Sequence, residues 1–422
     1  MPDLHRASAN AAPAPDWADR FTPAAARGVG SEIREMLNLV GGDVVSFAGG
    51  VPNPDLFPGE VMAEESAAIL SDASLRTTAL QYAVTEGYGP LREWIAGYMR
   101  RKGVVADIGN IIVTSGAQQA LELVARALAA PGDRIVTSAP SYVGALQIFQ
   151  FCGAEVLSVP MDEEGVLPDA FENALKTKPK FAYFVTDFAN PSGVTFSAER
   201  RAALSRIAKR YGAPIVEDAA YSELYFDAPP PSPMSSIAQQ QAGAANDDPL
   251  AAADMIYLGT FSKTMTPGLR VGWMTAPKAL IAKAVQLKQS SDLHSGVLNQ
   301  MLTARAVEKI FDRHTETLRA QYAHQRDAMT TALRRWAPQS VRFADPEGGM
   351  FVWLELPEGY DARRVLERCI KDAKMAFVPG APFFTTPGEG CRYCRLSFST
   401  VSTEKIGDAI KRFGDLLRDM GR

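Results

Sequence analysis

The stretch Tyr257–Trp273, YLGTFSKTMTPGLRVGW, reads as a buried strand, a polar turn that carries a lysine, and a second strand. Its first residues complete the run ADMIYLG. An apolar run this continuous suits a sheet covered on both faces. Reading outward, NIIVTSG, DRIVTSAPSY, AEVLSVPMD, KFAYFVTDFANPSG and APIVEDAAY repeat the texture. Amphipathic segments such as QQALELVARALAA and SAERRAALSRIAKRYG lie between them. Short β-rich runs alternating with helices predict an α/β fold, with a mostly parallel sheet flanked by helices. From about Thr330 the texture changes. VRFADPEGGMFVWLEL, ARRVLERCIKDAK, CRYCRLSFST and TEKIGDAIKRFGDLLRDM predict a smaller α+β unit. The Pro-, Ala- and Gln-rich segment 228–253 reads as a surface loop or insertion, partly mobile.

Composition narrows the class. The 422 residues are 46% hydrophobic and 22% charged, with a formal net charge of −4 and no basic patch that would serve nucleic acid. No apolar run reaches the roughly 18 residues of a membrane span. The start, MPDLHRASANAAPAPDWADR, lacks the apolar core of a secretory signal and reads as a mobile arm. Four cysteines, Cys152, Cys369, Cys391 and Cys394, are too few for a disulfide framework and fit a reducing cytoplasm. Cys391 and Cys394 form one C-x-x-C without the second ligand pair that structural zinc needs, so they read as incidental thiols on a turn.

Polar residues recur where the predicted strands end, which is where open α/β sheets bind ligands. Ser115-Gly116-Ala117-Gln118 closes one strand and opens a helix. Its backbone N–H groups could hold a phosphate, or it is a plain turn. Asn190-Pro191-Ser192-Gly193 follows another strand and is by itself a β-turn signature. Asp218, with Tyr221 three residues on, closes a third strand, as a helix cap or as a buried carboxylate that needs a cation. Lys263 has Thr260 and Ser262 before it and Arg270 after it. Taken alone it is a solvated charge and the hydroxyls are local caps; together the group suits a phosphate. Arg395, in RLSFS, is either an outward charge or a fixed guanidinium for a carboxylate. One chemistry uses an amine, a phosphate cradle, an acid for a ring nitrogen and a carboxylate clamp together: that of pyridoxal phosphate.

In this order and spacing, SFAGGVPNPDLFP, LQYAVTEGYGPLRE, TSGAQQALELV, APSYVGALQ, NPSG, VEDAAY, GTFSKTMTPGLRVGW, KQSSDLHSGVLNQ, GGMFVWLEL, FVPGAPFF and RLSFS resemble the fold type I pyridoxal-phosphate aminotransferases of class I/II. The nearest likeness is to the 2-aminoadipate/kynurenine branch, which is also similar to the catalytic domain of MocR-type regulators. The resemblance runs from about Gly28 to the C-terminal helix. It implies a mobile arm over 1–27, a segment 28–60 joining the small domain and the active site, a large cofactor domain over 61–329 and a small domain over 330–422.

The resemblance also implies roles. Lys263 would form the Schiff base and shuttle a proton. Asp218 would pair with the ring nitrogen, Tyr221 and Asn190 with the ring oxygen, and Tyr142 would stack on the ring. Ser115, Gly116, Ala117, Gln118, Thr260, Ser262 and Arg270 would surround the phosphate. Tyr82 would reach the cofactor of the other subunit, which makes the active unit a homodimer. Arg395, helped by Asn190, would bind the substrate α-carboxylate, with Gly49 and Gly50 on the substrate side. Arg27, ahead of Arg34, is the candidate partner for a distal carboxylate; both could equally be surface charges. His294 reads as a packed histidine. The expected reaction moves an amino group from an L-amino acid (2-aminoadipate, aromatic or kynurenine, or branched aliphatic) to a 2-oxo acid such as 2-oxoglutarate. The alternatives are a β-lyase or decarboxylase of the same fold, a non-catalytic cofactor-binding protein, and a MocR-type regulator. The last would need a winged-helix domain that the roughly 30 residues before the motifs do not provide.

Overall fold

A computed structural model describes residues 17–28, 30, 41–243 and 247–421. An eight-stranded sheet organises it, in the order Ile111–Thr114, Gly272–Thr275, Met255–Thr260, Ile215–Asp218, Phe181–Val185, Arg134–Ala139, Glu155–Asp162, Gly165–Val166. The central pairings are parallel; Gly272–Thr275 runs antiparallel to both its neighbours, and Gly165–Val166 is an antiparallel edge. This is the predicted fold class. The reason lies in the side-chain period of two. In FAYFV, Phe181, Tyr183 and Val185 pack into one hydrophobic layer, and Ala182 and Phe184 into the other. The helix Ala117–Leu128 covers the first face and Gly89–Arg101 the second.

The C-terminal part forms a four-stranded antiparallel sheet of Arg342–Phe343, Phe351–Glu355, Tyr393–Ser397 and Val378–Pro379. The N-terminal segment is tied to it: Val45–Ser46 pairs in parallel with Met375–Ala376, and Ser397 N–H donates to the Phe47 carbonyl at 2.8 Å. The texture change at about Thr330 falls inside one continuous helix, Val297–Trp336, which packs against the closing helix Thr403–Met420.

The segment 228–253 departs from the loop reading. Met234–Ala242 and Pro249–Ala253 are helices, and Met234, Ser235 and Ser236 are buried; residues 244–246 lie outside the described residues. The cause is a long-range cap. Glu217, fully buried in its strand, accepts hydrogen bonds from Met234 N (2.7 Å), Ser235 N (3.0 Å) and Ser235 Oγ (2.9 Å) at the helix start. Arg201, also fully buried, pairs with Asp187 and lies 3.8 Å from Glu217. Removing one carboxylate from this cluster leaves a buried guanidinium short of charge. Glu217→Ala should therefore lower unfolding stability by about 3 kcal/mol, read as a lower urea midpoint; an unchanged midpoint would show that the cluster does not anchor the insertion.

Candidate active site

The strand register assembles the site. Asp218 pairs with Val185 on one side and Leu258 on the other, so the loops that carry Asn190 and Lys263 leave the sheet beside it. Asp218, Asn190 and Lys263 line one cavity of about 290 Å³ together with Gly50, Tyr142, Tyr221, Thr260 and Arg270.

Asp218 is only 6% exposed. Burial pushes its carboxyl up to about 6, against the hydrogen bonds it accepts from Tyr183 Oη (2.7 Å) and Ala220 N (3.2 Å). One oxygen takes each bond, which leaves lone pairs for a cationic N–H from the cavity. Tyr221 faces the same space, and burial raises its phenol well above the ordinary range.

Lys263 is half-buried, and its Nζ donates to the Gly50 carbonyl at 3.0 Å. Burial lowers its ammonium to about 8, with further push from Arg395 and Arg270. An amine with that value is neutral in about a tenth of molecules at pH 7, far more than an ordinary lysine, and the neutral form is what a nucleophile or proton acceptor needs.

At one end of the cavity the helix Ala117–Leu128 starts with no side-chain cap on its N–H groups. Gly116 stands at φ +84°, and a Cβ there would meet the Arg270 guanidinium at 2.8 Å. Gly272 allows the same close approach from the next strand, where a Cβ would lie 2.7 Å from the Gly116 carbonyl carbon. Arg270 itself takes φ 55°, rare for a non-glycine residue, and its Nη2 donates to the Ser115 carbonyl at 3.3 Å. Thr260 and Ser262 are buried and bonded to each other at 3.0 Å. Free helix N–H groups, two hydroxyls and a guanidinium form an anion cradle.

Beyond Asn190 stands Arg395, 3% exposed. Its Nη1 donates to Asn190 Oδ1 (2.9 Å) and its Nη2 to the Ala48 carbonyl (2.8 Å). The guanidinium lies 4.4 Å from the Phe351 ring centroid, and its buried Nε has no partner. Burial lowers its pKa to about 10. Among the described residues no carboxylate pairs with it, so a fixed buried cation is held ready for one.

The comparisons agree with this geometry. The family model for aminotransferase class I and II matches residues 44–413. The chain belongs to this family. It is 40% identical to a 2-aminoadipate transaminase of Thermus thermophilus, over 96% of this chain and 98% of that one. An aromatic-amino-acid aminotransferase of Thermococcus litoralis is 38% identical, over 97% and 96%. Among solved structures, the alpha-aminoadipate aminotransferase of Thermus thermophilus, complexed with N-(5'-phosphopyridoxyl)-L-leucine, gives a TM-score of 0.87 at 39% identity, covering 96% and 98%. The protein is a fold type I, pyridoxal-phosphate-dependent aminotransferase of the 2-aminoadipate/kynurenine branch. Its residues fit that cofactor: Asp218 has open lone pairs for a ring N–H, and the Gly116–Arg270 cradle suits a phosphate.

The aminotransferase brings most of the expected residues together, with exceptions. Ser115 does not turn its hydroxyl to the cradle. That group contacts Asp292 Oδ2 (3.1 Å) and the buried Ser295 Oγ (3.0 Å), which lie behind the turn. Arg27 is not in the cavity; its Nη2 donates to the Phe151 carbonyl at 3.4 Å, because its helix Pro23–Arg27 packs on Val143–Cys152. Arg34 lies outside the described residues. Gly50 lines the cavity and Gly49 precedes it without doing so. Gln118 lines the cavity and accepts from Tyr142 Oη at 3.2 Å. Tyr82 is 80% exposed, away from its own chain's cavity, with its ring against His294. Cys391 and Cys394 are free thiols, Cys394 buried. Sequence reasoning missed Tyr183, whose hydroxyl holds Asp218; a tyrosine inside an apolar strand carries no signal of such a bond.

The loading rate of the apo-protein with pyridoxal phosphate should follow the neutral fraction of Lys263. It should rise with a midpoint near pH 8, not near the ordinary lysine value of about 10.4. A midpoint above pH 10 in a stopped-flow series would contradict the assigned environment.

Proposed function

We propose that the enzyme transfers the amino group of an L-amino acid of 2-aminoadipate, aromatic or branched aliphatic type to a 2-oxo acid, with 2-oxoglutarate as acceptor, in two half-reactions. The observation that carries the reading is a cavity lysine depressed to about 8 together with a buried guanidinium, held on Asn190 of the cavity wall and without an acidic partner among the described residues. The Thermus relative, a 2-aminoadipate transaminase, and the Thermococcus relative, which acts on aromatic amino acids, support the donor class.

When bound, pyridoxal phosphate supplies a carbonyl that captures amines and a ring that accepts an electron pair. The protein does the rest. Arg395 and Asn190 hold the α-carboxylate and so orient the substrate. Lys263 Nζ would take the proton from the substrate Cα and hold it for return, at high effective concentration. Asp218 holds the proton of the ring nitrogen. Tyr221 would donate to the ring oxygen and Tyr142 would cover the ring. Gly116, Ala117, Thr260, Ser262 and Arg270 keep the phosphate in place between half-reactions. We assign Tyr82 to the partner's site in a homodimer, a reading supported by its exposure. The four free thiols support a reducing cytoplasm.

Two measurements test this reading. Mixing loaded enzyme with single amino acids and no acceptor should give one equivalent of oxo acid, no ammonia or carbon dioxide, and regeneration by 2-oxoglutarate; continuous ammonia release would favour a lyase. Arg395→Leu should lower kcat/KM about 100-fold or more for donor and acceptor alike, as loss of a buried charge partner does, while cofactor binding holds. Unchanged kinetics would remove Arg395 from the site.

A further inference from the structure

The motif KQSSDLHSGVLNQ contains a buried lysine that the mechanism above leaves unused. Lys288 lies in the last turn of the helix Lys278–Gln289, and its side chain is fully buried. Its Nζ donates to Gln119 Oε1 (2.7 Å), Asp292 Oδ1 and Oδ2 (2.8 and 2.9 Å) and Ser295 Oγ (3.1 Å). An ammonium has three N–H groups, so with Asp292 bridging one of them the donor set is saturated.

Each of these acceptors also grips the turn before the anion cradle. Gln119 Oε1 accepts from Ser115 N at 2.8 Å, and Gln119 Nε2 donates to Asp292 Oδ2 at 2.8 Å. Asp292 Oδ2 and Ser295 Oγ both contact Ser115 Oγ. Ser115 precedes Gly116, and its carbonyl accepts from Arg270. Thus one buried cation, through its acceptors, sets the backbone N–H and hydroxyl of the residue that enters the cradle, while Arg270 holds its carbonyl. Burial raises the Asp292 carboxyl, and the bonds from Lys288, Gln119 and Ser115 outweigh it to hold the group below its ordinary range.

We propose that Lys288 is a positioning residue for the phosphate end of the site: through Gln119, Asp292 and Ser295 it fixes the Ser115–Gly116 turn, and so sets the affinity for the cofactor's phosphate rather than for its ring. The inference rests on the pyridoxal-phosphate reading and assigns Ser115 to this supporting network.

The test compares apo-protein affinity for pyridoxal 5'-phosphate and for pyridoxal, which lacks the phosphate. In Lys288→Met the phosphate form should bind about tenfold more weakly, the loss typical when an outer partner of a binding group is removed. Pyridoxal should bind as to the wild type. Because a lone Asp292 could harm folding, the double variant K288M/D292N removes both charges and should show the same phosphate-selective loss. Wild-type affinity for both ligands in either variant, or equal losses for both, would overturn the proposal. Wild-type protein that binds the two ligands equally well would instead overturn the phosphate cradle itself.

Discussion

Excess positive charge in and beside one cavity is the constraint on which the rest of the site depends. Lys263 and Arg270 share the cavity with one carboxylate, Asp218, and Arg395 stands behind Asn190, near enough to act on Lys263. Burial disfavours the charges on Lys263, Arg395 and Asp218, and the positive charges of Arg395 and Arg270 push further on Lys263. Lys263 is the group that yields, because a guanidinium holds its proton much more tightly than an ammonium. The same arithmetic selects the ligands: anions at both ends, and a cationic N–H beside Asp218.

The fold meets this constraint by joining distant parts of the chain. Lys263, Asp218 and Asn190 come from carboxyl ends of neighbouring parallel strands. Arg395 comes from the C-terminal sheet, and its own strand neighbours, Cys394 and Leu396, are fully buried. The N-terminal segment completes the wall with backbone oxygens: Ala48 accepts from Arg395 and Gly50 from Lys263. These two carbonyls satisfy donors that would otherwise be buried without partners.

Much of this was legible in the sequence. Continuous apolar runs such as MIYLG and FAYFV, with polar residues at their ends, specify both a covered parallel sheet and the edge that carries the chemistry. What escaped the sequence depends on partners far away in the chain. The direction of the Ser115 hydroxyl is decided by Asp292 and Ser295. The helix Met234–Ala242 hides in a Pro- and Gln-rich stretch because its cap is Glu217, in a separate strand. Tyr183 resembles any core aromatic until Asp218 is placed beside it. Arg27 was tied to the site by analogy, and its helix packs elsewhere.

The most direct test of the central claim is to find where the cofactor attaches. The loaded enzyme would be reduced with borohydride, digested and mapped by mass spectrometry. The account predicts a single phosphopyridoxyl group, on the peptide that contains Lys263. A label on any other lysine, or no label on protein shown to hold the cofactor, would contradict it.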